Sequence, residues 1–249
     1  MTIYMIKHQP TPPSFRPLYD QIKILITQSL IAGEWSPGEA IPSEIELAAR
    51  FKVSQGTVRK AIDELASENI VVRRQGKGTF VATHAEERSH FRFLRVMNNE
   101  GDTPYPDSIV VEFGRAKASA EIARLIDIRV GAPVFSVKRI LSYSGKPIIL
   151  DEICLPAALF KGMTQEKLAS YKGSFYSFYE SQYGLRMIRA EERLSALAAD
   201  KETATHLSLK TGVPLLCVDR IAYTYGDRPV EWRRGLCYTE AYSYHTELN

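Results

Sequence analysis

From Leu18 onward the apolar positions recur at three- and four-residue spacing: Leu18, Ile22, Leu25, Ile26 and Leu30 mark one helix face, which ends at Gly33. Pro37-Gly38 then turns the chain. Ser43-Glu44-Ile45-Glu46 has the form of a capping box, in which the serine hydroxyl accepts from the Glu46 N–H while that carboxylate reaches back. A short helix is predicted from about Glu44 to Phe51. Only Lys52 and Val53 separate it from Ser54, a second N-cap residue, after which Val58, Ala61, Ile62 and Leu65 form a new apolar stripe. Two short helices on a tight turn make a helix-turn-helix. The period then shortens: Ile70-Val71-Val72-Arg73-Arg74 and Thr79-Phe80-Val81 read as two strands around Gln75-Gly76-Lys77-Gly78, a hairpin with a basic, glycine-rich tip.

The stripe of the third helix forces Gln55, Gly56, Arg59, Lys60 and Asp63 outward. A helix whose first turn is small, polar and basic suits the major groove, where base edges are read while N–H groups and Lys or Arg meet phosphates. Glycines at the hairpin tip let a backbone approach a phosphate chain or a minor groove without clash. Charge supports the same surface. Residues 3–83 carry 10 basic and 8 acidic groups, yet windows 47–62 and 69–85 hold Arg50, Lys52, Arg59, Lys60, Arg73, Arg74 and Lys77 and no acid. The tip is not a phosphate-binding P-loop, because the GxxxxGK[ST] spacing is absent and a strand follows.

His84-Ala85-Glu86-Glu87-Arg88-Ser89-His90 is polar and charged and lies between two patterned regions, so 84–90 reads as a linker between domains 1–83 and 91–249. The second half contains an internal repeat. Ala123, Ile126, Ile128, Gly131, Pro133, Val137, Arg139, Ile140 and Gly145 match Ala204, Leu207, Leu209, Gly212, Pro214, Val218, Arg220, Ile221 and Gly226, all at an offset of 81. Each copy reads as a helix, a glycine turn, a strand, a glycine hairpin and a second strand. Two copies predict an antiparallel sheet with helices on one face and a crevice near the pseudo-symmetry axis. In Val230-Glu231-Trp232-Arg233-Arg234 the strand period puts Glu231 and Arg233 on one face, and the repeat sets Arg233 opposite the equivalent of Asp151. Charged side chains inside apolar strands must pair or meet a ligand. Gly173-Ser174-Phe175-Tyr176 opens a helix whose free N–H groups suit an anion, and Arg189 on the following strand is expected to face the same crevice.

Composition narrows the class. With 249 residues, 45% hydrophobic and 24% charged, the chain is an ordinary packed protein of one large or two average domains. The most continuous apolar stretch, Ile22 to Ile31, is interrupted by polar residues, so no membrane span is expected, and Met1 to Pro13 do not read as a secretory signal. A cytoplasmic protein, nucleoid-associated when bound to DNA, is the expectation. Cys154, Cys217 and Cys237 lie far apart in apolar runs and read as buried reduced thiols. No cofactor, catalytic residue or metal ligand is assigned.

Pro17-Leu18-Tyr19, Gly33-Glu34-Trp35 with Pro37-Gly38, Ile41-Pro42-Ser43-Glu44, Leu47-Ala48, Val53-Ser54, Thr57-Val58-Arg59 and Arg73 through Val81 resemble the winged-helix domain of GntR-family bacterial transcription regulators over about 17–82. The resemblance implies a homodimer on a near-palindromic operator. It implies DNA contacts at Thr57 and Arg59, with Gly76 and Lys77 at the wing; joined with the charge pattern, the DNA set is Arg50, Ser54, Gln55, Gly56, Thr57, Arg59, Lys60, Arg74, Gly76 and Lys77. Ile45 and Gln55 stand where arginines are common in the family, and arginine pairs best with guanine and glutamine with adenine, so the operator is expected to differ from the commonest half-site. Residues 90–245 resemble the UTRA effector domain of the HutC subgroup. That likeness implies an α+β fold, a winged helix-turn-helix joined to a chorismate-lyase-like antiparallel sheet, and effector contacts at Arg139, Asp151, Ser174, Arg189, Glu231 and Arg233. Leu141 stands where sugar-phosphate-binding relatives often have a second Arg; a small carboxylate or other polar anion suits the remaining arginines.

The expected function is a ligand-responsive repressor of operator DNA, released by an organic acid, sugar or phosphorylated metabolite. The alternative is a chorismate-lyase-like enzyme acting on an aromatic acid, with Arg139 and Arg189 holding carboxylates and Glu231 as acid or base. No GxSxG, HExxH, Cys–His or Rossmann pattern supports it. A purely architectural DNA binder needs no polar crevice.

Overall fold

The computed structural model describes residues 16–85, 93–99 and 105–246. The chain divides into two compact units, Met1–Ala82 and Thr83–Asn249. Among the described residues no helix is long and apolar enough to cross a membrane.

Unit 1 holds α1 (Leu18–Ile31), α2 (Glu44–Phe51), α3 (Gln55–Ser67), β1 (Val71–Arg74) and β2 (Gly78–Val81). The Ser43 hydroxyl accepts from the Glu46 N–H at 3.3 Å and the Ser43 N–H donates to the Glu46 carboxylate at 2.8 Å, so both halves of the capping box form. Helix α2 stops because Lys52 turns left-handed (φ 55°), and Ser54 starts α3 two residues later by accepting from the Thr57 N–H at 3.2 Å. Ile22 and Ile26 of α1, Leu47 of α2, and Val58, Ala61, Ile62 and Leu65 of α3 form the core. The α1 stripe buries at three of its five positions: Leu18 and Leu25 remain 51% and 42% exposed.

Unit 2 is a six-stranded antiparallel sheet in the order β4-β5-β6-β9-β8-β7. Its strands are β4 (Asp107–Lys117), β5 (Pro133–Tyr143), β6 (Lys146–Pro156), β7 (Arg189–Ala198), β8 (Pro214–Tyr223) and β9 (Pro229–Cys237). The order is palindromic: two three-stranded meanders meet at the β6–β9 pair, and α4 (Ala120–Leu125) and α7 (Lys201–His206) occupy equivalent places in them. Each repeat therefore begins one strand earlier than the sequence pattern shows. Helices cover both faces rather than one. Ala123 of α4 and Ile126 at its C-cap pack with Val134 and Cys154, and Ala204 of α7 packs with Leu150, Leu215 and Leu236. The alternate residues Val137 and Ile153 meet α5 (Gln165–Ser170) and α6 (Phe175–Tyr183) on the other side. A two-stranded ribbon, β3 (Val96–Asn98) with β10 (Tyr242–Tyr244), packs on Leu141, Ile149 and Val218.

Of the predicted linker 84–90, residues 86–90 lie outside the described residues. His84 is buried: its N–H donates to the Glu180 carboxylate at 3.1 Å and its ring bonds the Met187 carbonyl at 2.9 Å, while the Thr83 hydroxyl also bonds Glu180. The three cysteines are buried and unpaired, and burial pushes the Cys154 thiol up to about 11.

Candidate nucleic-acid interface and ligand cavity

In unit 1 the start of α3 and the β1–β2 tip line one open depression, walled by Ser43, Glu44, Ile45 and Gln55 on one side and Arg74, Gly76 and Lys77 on the other. Gly76 has φ 70°, which favours glycine at the tip. Gly56 needs no such freedom: a Cβ there would meet only Ser54 Oγ at 3.9 Å. It is the second residue of α3, in the first turn, where neither the backbone nor a neighbour requires glycine. Ser54 and Thr57 hydroxyls lie 2.9 Å apart at the cap.

Glu44 organises the cations at this wall. Its carboxylate accepts from Arg59 Nε at 3.0 Å, from Gln55 Nε2 at 3.3 Å and pairs with Arg73 at 3.1 Å. Burial pushes its pKa up, but the bonds from Arg59, Gln55 and Arg73 outweigh burial and hold it below the ordinary value. Arg74 lies over the Phe80 ring at 4.6 Å. Of the ten predicted contacts, Gln55, Arg74, Gly76 and Lys77 line the depression; among the others, Lys60 caps the Tyr19 ring at 4.0 Å, and Arg50 pairs with Glu34 and lies 5.6 Å from the Trp35 ring.

In unit 2 a cleft of about 690 Å³, counted with its open mouth, lies over the central strands. Asp151 accepts from Arg139 Nε at 2.8 Å and lies 3.3 Å from Arg233 Nη1. Arg233 Nη2 donates to Glu231 at 2.9 Å, and Glu231 also accepts from the Tyr176 and Tyr179 hydroxyls, each at 2.9 Å. Burial raises the Asp151 pKa, and the charges of Arg139 and Arg233 override it and keep the carboxyl below its usual value. Burial likewise pushes the Tyr176 phenol up to about 12, so it remains a donor to Glu231. The Arg139 guanidinium stacks 4.0 Å from the Phe175 ring, and Ser174, which caps α6 through the Ser177 N–H at 3.0 Å, borders the same space. Arg233 is 8% exposed, and its Nε has no acceptor among the described residues.

Of the six residues expected around the effector, Arg139, Asp151, Ser174 and Arg233 line this cleft, and Glu231 lies directly behind Arg233. Arg189 does not join them. It stacks 3.8 Å from the Tyr223 ring and pairs with Asp227 and Glu191 on the exposed edge strand. Arg233 faces Arg220 and Ile153 in register and reaches Asp151 only diagonally. Arg220, absent from the expected set, also lines the cleft and donates to Glu192 at 2.6 Å. The offset of 81 that pairs it with Arg139 was the signal for it. Tyr105 and Arg95 complete the polar lining. Glu231 is fully buried and takes three donors, so it lacks the access to a substrate that an acid or base in turnover requires.

The profile of "Bacterial regulatory proteins, gntR family" matches residues 18–81, and that of the UTRA domain matches 104–243. An uncharacterized HTH-type transcriptional regulator of Bacillus subtilis (strain 168), YurK, is 31% identical over 87% of this chain and 89% of its own length. The mannosyl-D-glycerate transport/metabolism system repressor MngR of Escherichia coli (strain K12) is 29% identical over 92% of this chain and 95% of its own. The ligand-binding domain of a GntR-family regulator from Bordetella bronchiseptica superposes with a TM-score of 0.62 at 45% identity, covering 64% of this chain and 98% of that one. These relatives are transcription regulators, and none of the three descriptions is of an enzyme.

Proposed function

We propose, on the premise that the chain belongs to the gntR family of bacterial regulatory proteins and carries a UTRA domain, that this DNA-binding regulator is a cytoplasmic homodimeric repressor released from a near-palindromic operator by a small polar or anionic metabolite. Gln55, Gly56, Thr57 and Arg59 approach the major groove behind the Ser54 cap, while Arg74, Gly76 and Lys77 of the wing meet the adjacent backbone. Arg50 and Lys60 flank this surface as phosphate contacts. Ile45 is 68% exposed beside Gln55, an apolar group where an arginine is common in the family, and supports an operator that differs from the family's commonest half-site.

The effector is held by Arg139, Asp151, Ser174, Arg220 and Arg233, with Glu231 fixing Arg233 from behind; Arg189 stands outside this set. One observation carries this half of the reading: the buried Arg233 Nε, without an acceptor among the described residues, beside an open-mouthed cleft lined by Arg139, Asp151 and Ser174. An unsatisfied buried donor is costly and is relieved by a bound acceptor. The test is a gel-shift series with a palindromic fragment from upstream of the gene. Unchanged migration at low salt across all protein concentrations refutes the operator; a complex that forms and is dissolved by a metabolite in wild type but not in Arg139→Met supports both halves.

A further inference from the structure

The floor of the cleft changes character row by row, and that gradient limits what the effector can be. Arg220, Arg233, Ile153 and Val137 lie side by side across β8, β9, β6 and β5. One step along the strands on the same face, the row is Val218, Gly235, Asp151 and Arg139; one step further it is Leu216, Cys237, Ile149 and Leu141. Across about 14 Å of strand the floor therefore passes from guanidinium to hydrocarbon. The walls follow it. Leu94, Val96 and Tyr244 cover the apolar end, joining Leu141, Ile149 and Val218 in one buried cluster. Gly235 leaves the middle row open: a Cβ there would come within 3.1 Å of Asp151 Oδ1.

The charge at the polar end is already balanced. Arg139 pairs with Asp151, Arg233 with Asp151 and Glu231, and Arg220 with Glu192, three guanidiniums against three carboxylates. The fourth lining cation, Arg95, is half-buried and donates to the Thr246 hydroxyl at 3.0 Å, with no carboxylate partner among the described residues. Among the described residues one positive charge is thus left over. A phosphate monoester brings about −1.5 to −2 at neutral pH and overshoots it; a carboxylate matches it.

Resting on the reading that this cleft is the effector site, we infer that its ligand is a monocarboxylate with an aryl or alkyl body, and not a sugar or sugar phosphate. The carboxylate accepts from Arg233 Nε and Arg95, and the body lies over Leu141, Ile149 and Cys237. Those residues offer a sugar hydroxyl no hydrogen bond, so each hydroxyl placed there costs roughly ten- to a hundredfold in affinity.

The test is calorimetric titration and thermal shift of the full chain with 3-phenylpropanoate, hexanoate, their amides, gluconate, glycerol 3-phosphate and glucose 6-phosphate. The inference expects the two carboxylates to bind and raise Tm, their amides to bind at least tenfold more weakly, and Arg95→Gln, a half-buried rim position safe for folding, to weaken the carboxylates about tenfold. Stronger binding by gluconate or either phosphate ester, equal binding of acid and amide, or no shift with either carboxylate overturns it. Operator release is read separately by gel shift. Carboxylate binding without release leaves the ligand class standing and refutes the effector role; release by glucose 6-phosphate upholds the effector role and refutes the ligand class.

Discussion

Replacing Glu231 by glutamine tests whether the buried ion network holds unit 2 together. Glu231 is 0% exposed and accepts from Tyr176, Tyr179 and Arg233 at 2.9 Å each. Glutamine keeps the shape and one acceptor, so no cavity forms. What it removes is the charge, and among the described residues Arg233 is left with Asp151 at 3.3 Å as its counterion. Breaking a buried pair by removing one partner costs about 3–5 kcal/mol, and the retained acceptor puts Glu231→Gln near ~3 kcal/mol. For the 167 residues of unit 2 that is a fall in Tm of roughly 6–12 °C. The two tryptophans supply the assay, because Trp35 lies in unit 1 and Trp232 in unit 2. Urea titration of the Trp35→Phe background reads unit 2 alone through Trp232. The companion variant Arg233→Met leaves Glu231 as the unpaired charge, and the double variant must lose at least ~1.5 kcal/mol less than the sum of the singles. A loss below about 1 kcal/mol for Glu231→Gln, or additivity in the cycle, refutes the reasoning.

Three further outcomes are expected. Burial raises the Glu180 pKa against the lowering bonds from Thr83 and the His84 N–H and the charge of Arg186, so its contribution is fully present below the unfolded value near 4.5 and is lost as pH rises through the folded value. Glu180→Gln should therefore flatten the fall in unit 2 stability above pH 4.5, as followed by Trp232 fluorescence in the Trp35→Phe background; an unchanged slope contradicts this sign. Ser54→Ala removes the α3 cap and should cost unit 1 about 1 kcal/mol, seen as a lower urea midpoint of Trp35 emission with unit 2 unmoved. Lys77→Ala should weaken binding to specific and scrambled duplexes alike and reduce the slope of log K against log salt by about 1; a loss confined to the specific sequence would point to base reading instead.

Unit 1 was legible because its signals are local. The Ser43 capping box, the Ser54 cap and the Gly76 turn are each settled within four residues, and all three form as read. Leu18 and Leu25 mark the limit: helical period says which residues share a face, while burial depends on what packs there, and these two meet solvent. In unit 2 the repeat was visible through its offset, but β4 was not, because an edge strand exposed along most of its length shows no alternation of apolar and polar residues. The β3–β10 ribbon joins Val96 to Tyr244 across most of the unit, a pairing no window of sequence contains. Arg189 shows the same limit in the cleft. Period two fixed its face relative to its neighbours on β7, and the side chain went to Asp227 and Tyr223 at the edge. Arg220 was within reach of the repeat, since Arg139 is its partner at the offset of 81.

Effector and operator can influence each other only if the effector binds two arrangements of the protein with different affinity. Helix α6 is where such a difference has the shortest route out of the cleft. Its cap Ser174 and first residue Phe175 line the space, its Tyr176 hydroxyl holds Glu231, and its Glu180 holds Thr83 and His84, the residues with which unit 2 begins. From Ser174 to Glu180 is six residues, about 9 Å of helix. Phe178 and Tyr179 pack that stretch against Phe160 and Tyr183, so it moves as a rod sooner than it bends. The Phe93 ring supplies a second contact along the same line, bordering the cleft and meeting His84 at 5.8 Å and Tyr176 at 5.0 Å. Through α6 and Phe93 the lining of the cleft is thus joined by direct contacts to Thr83 and His84, within unit 2 itself.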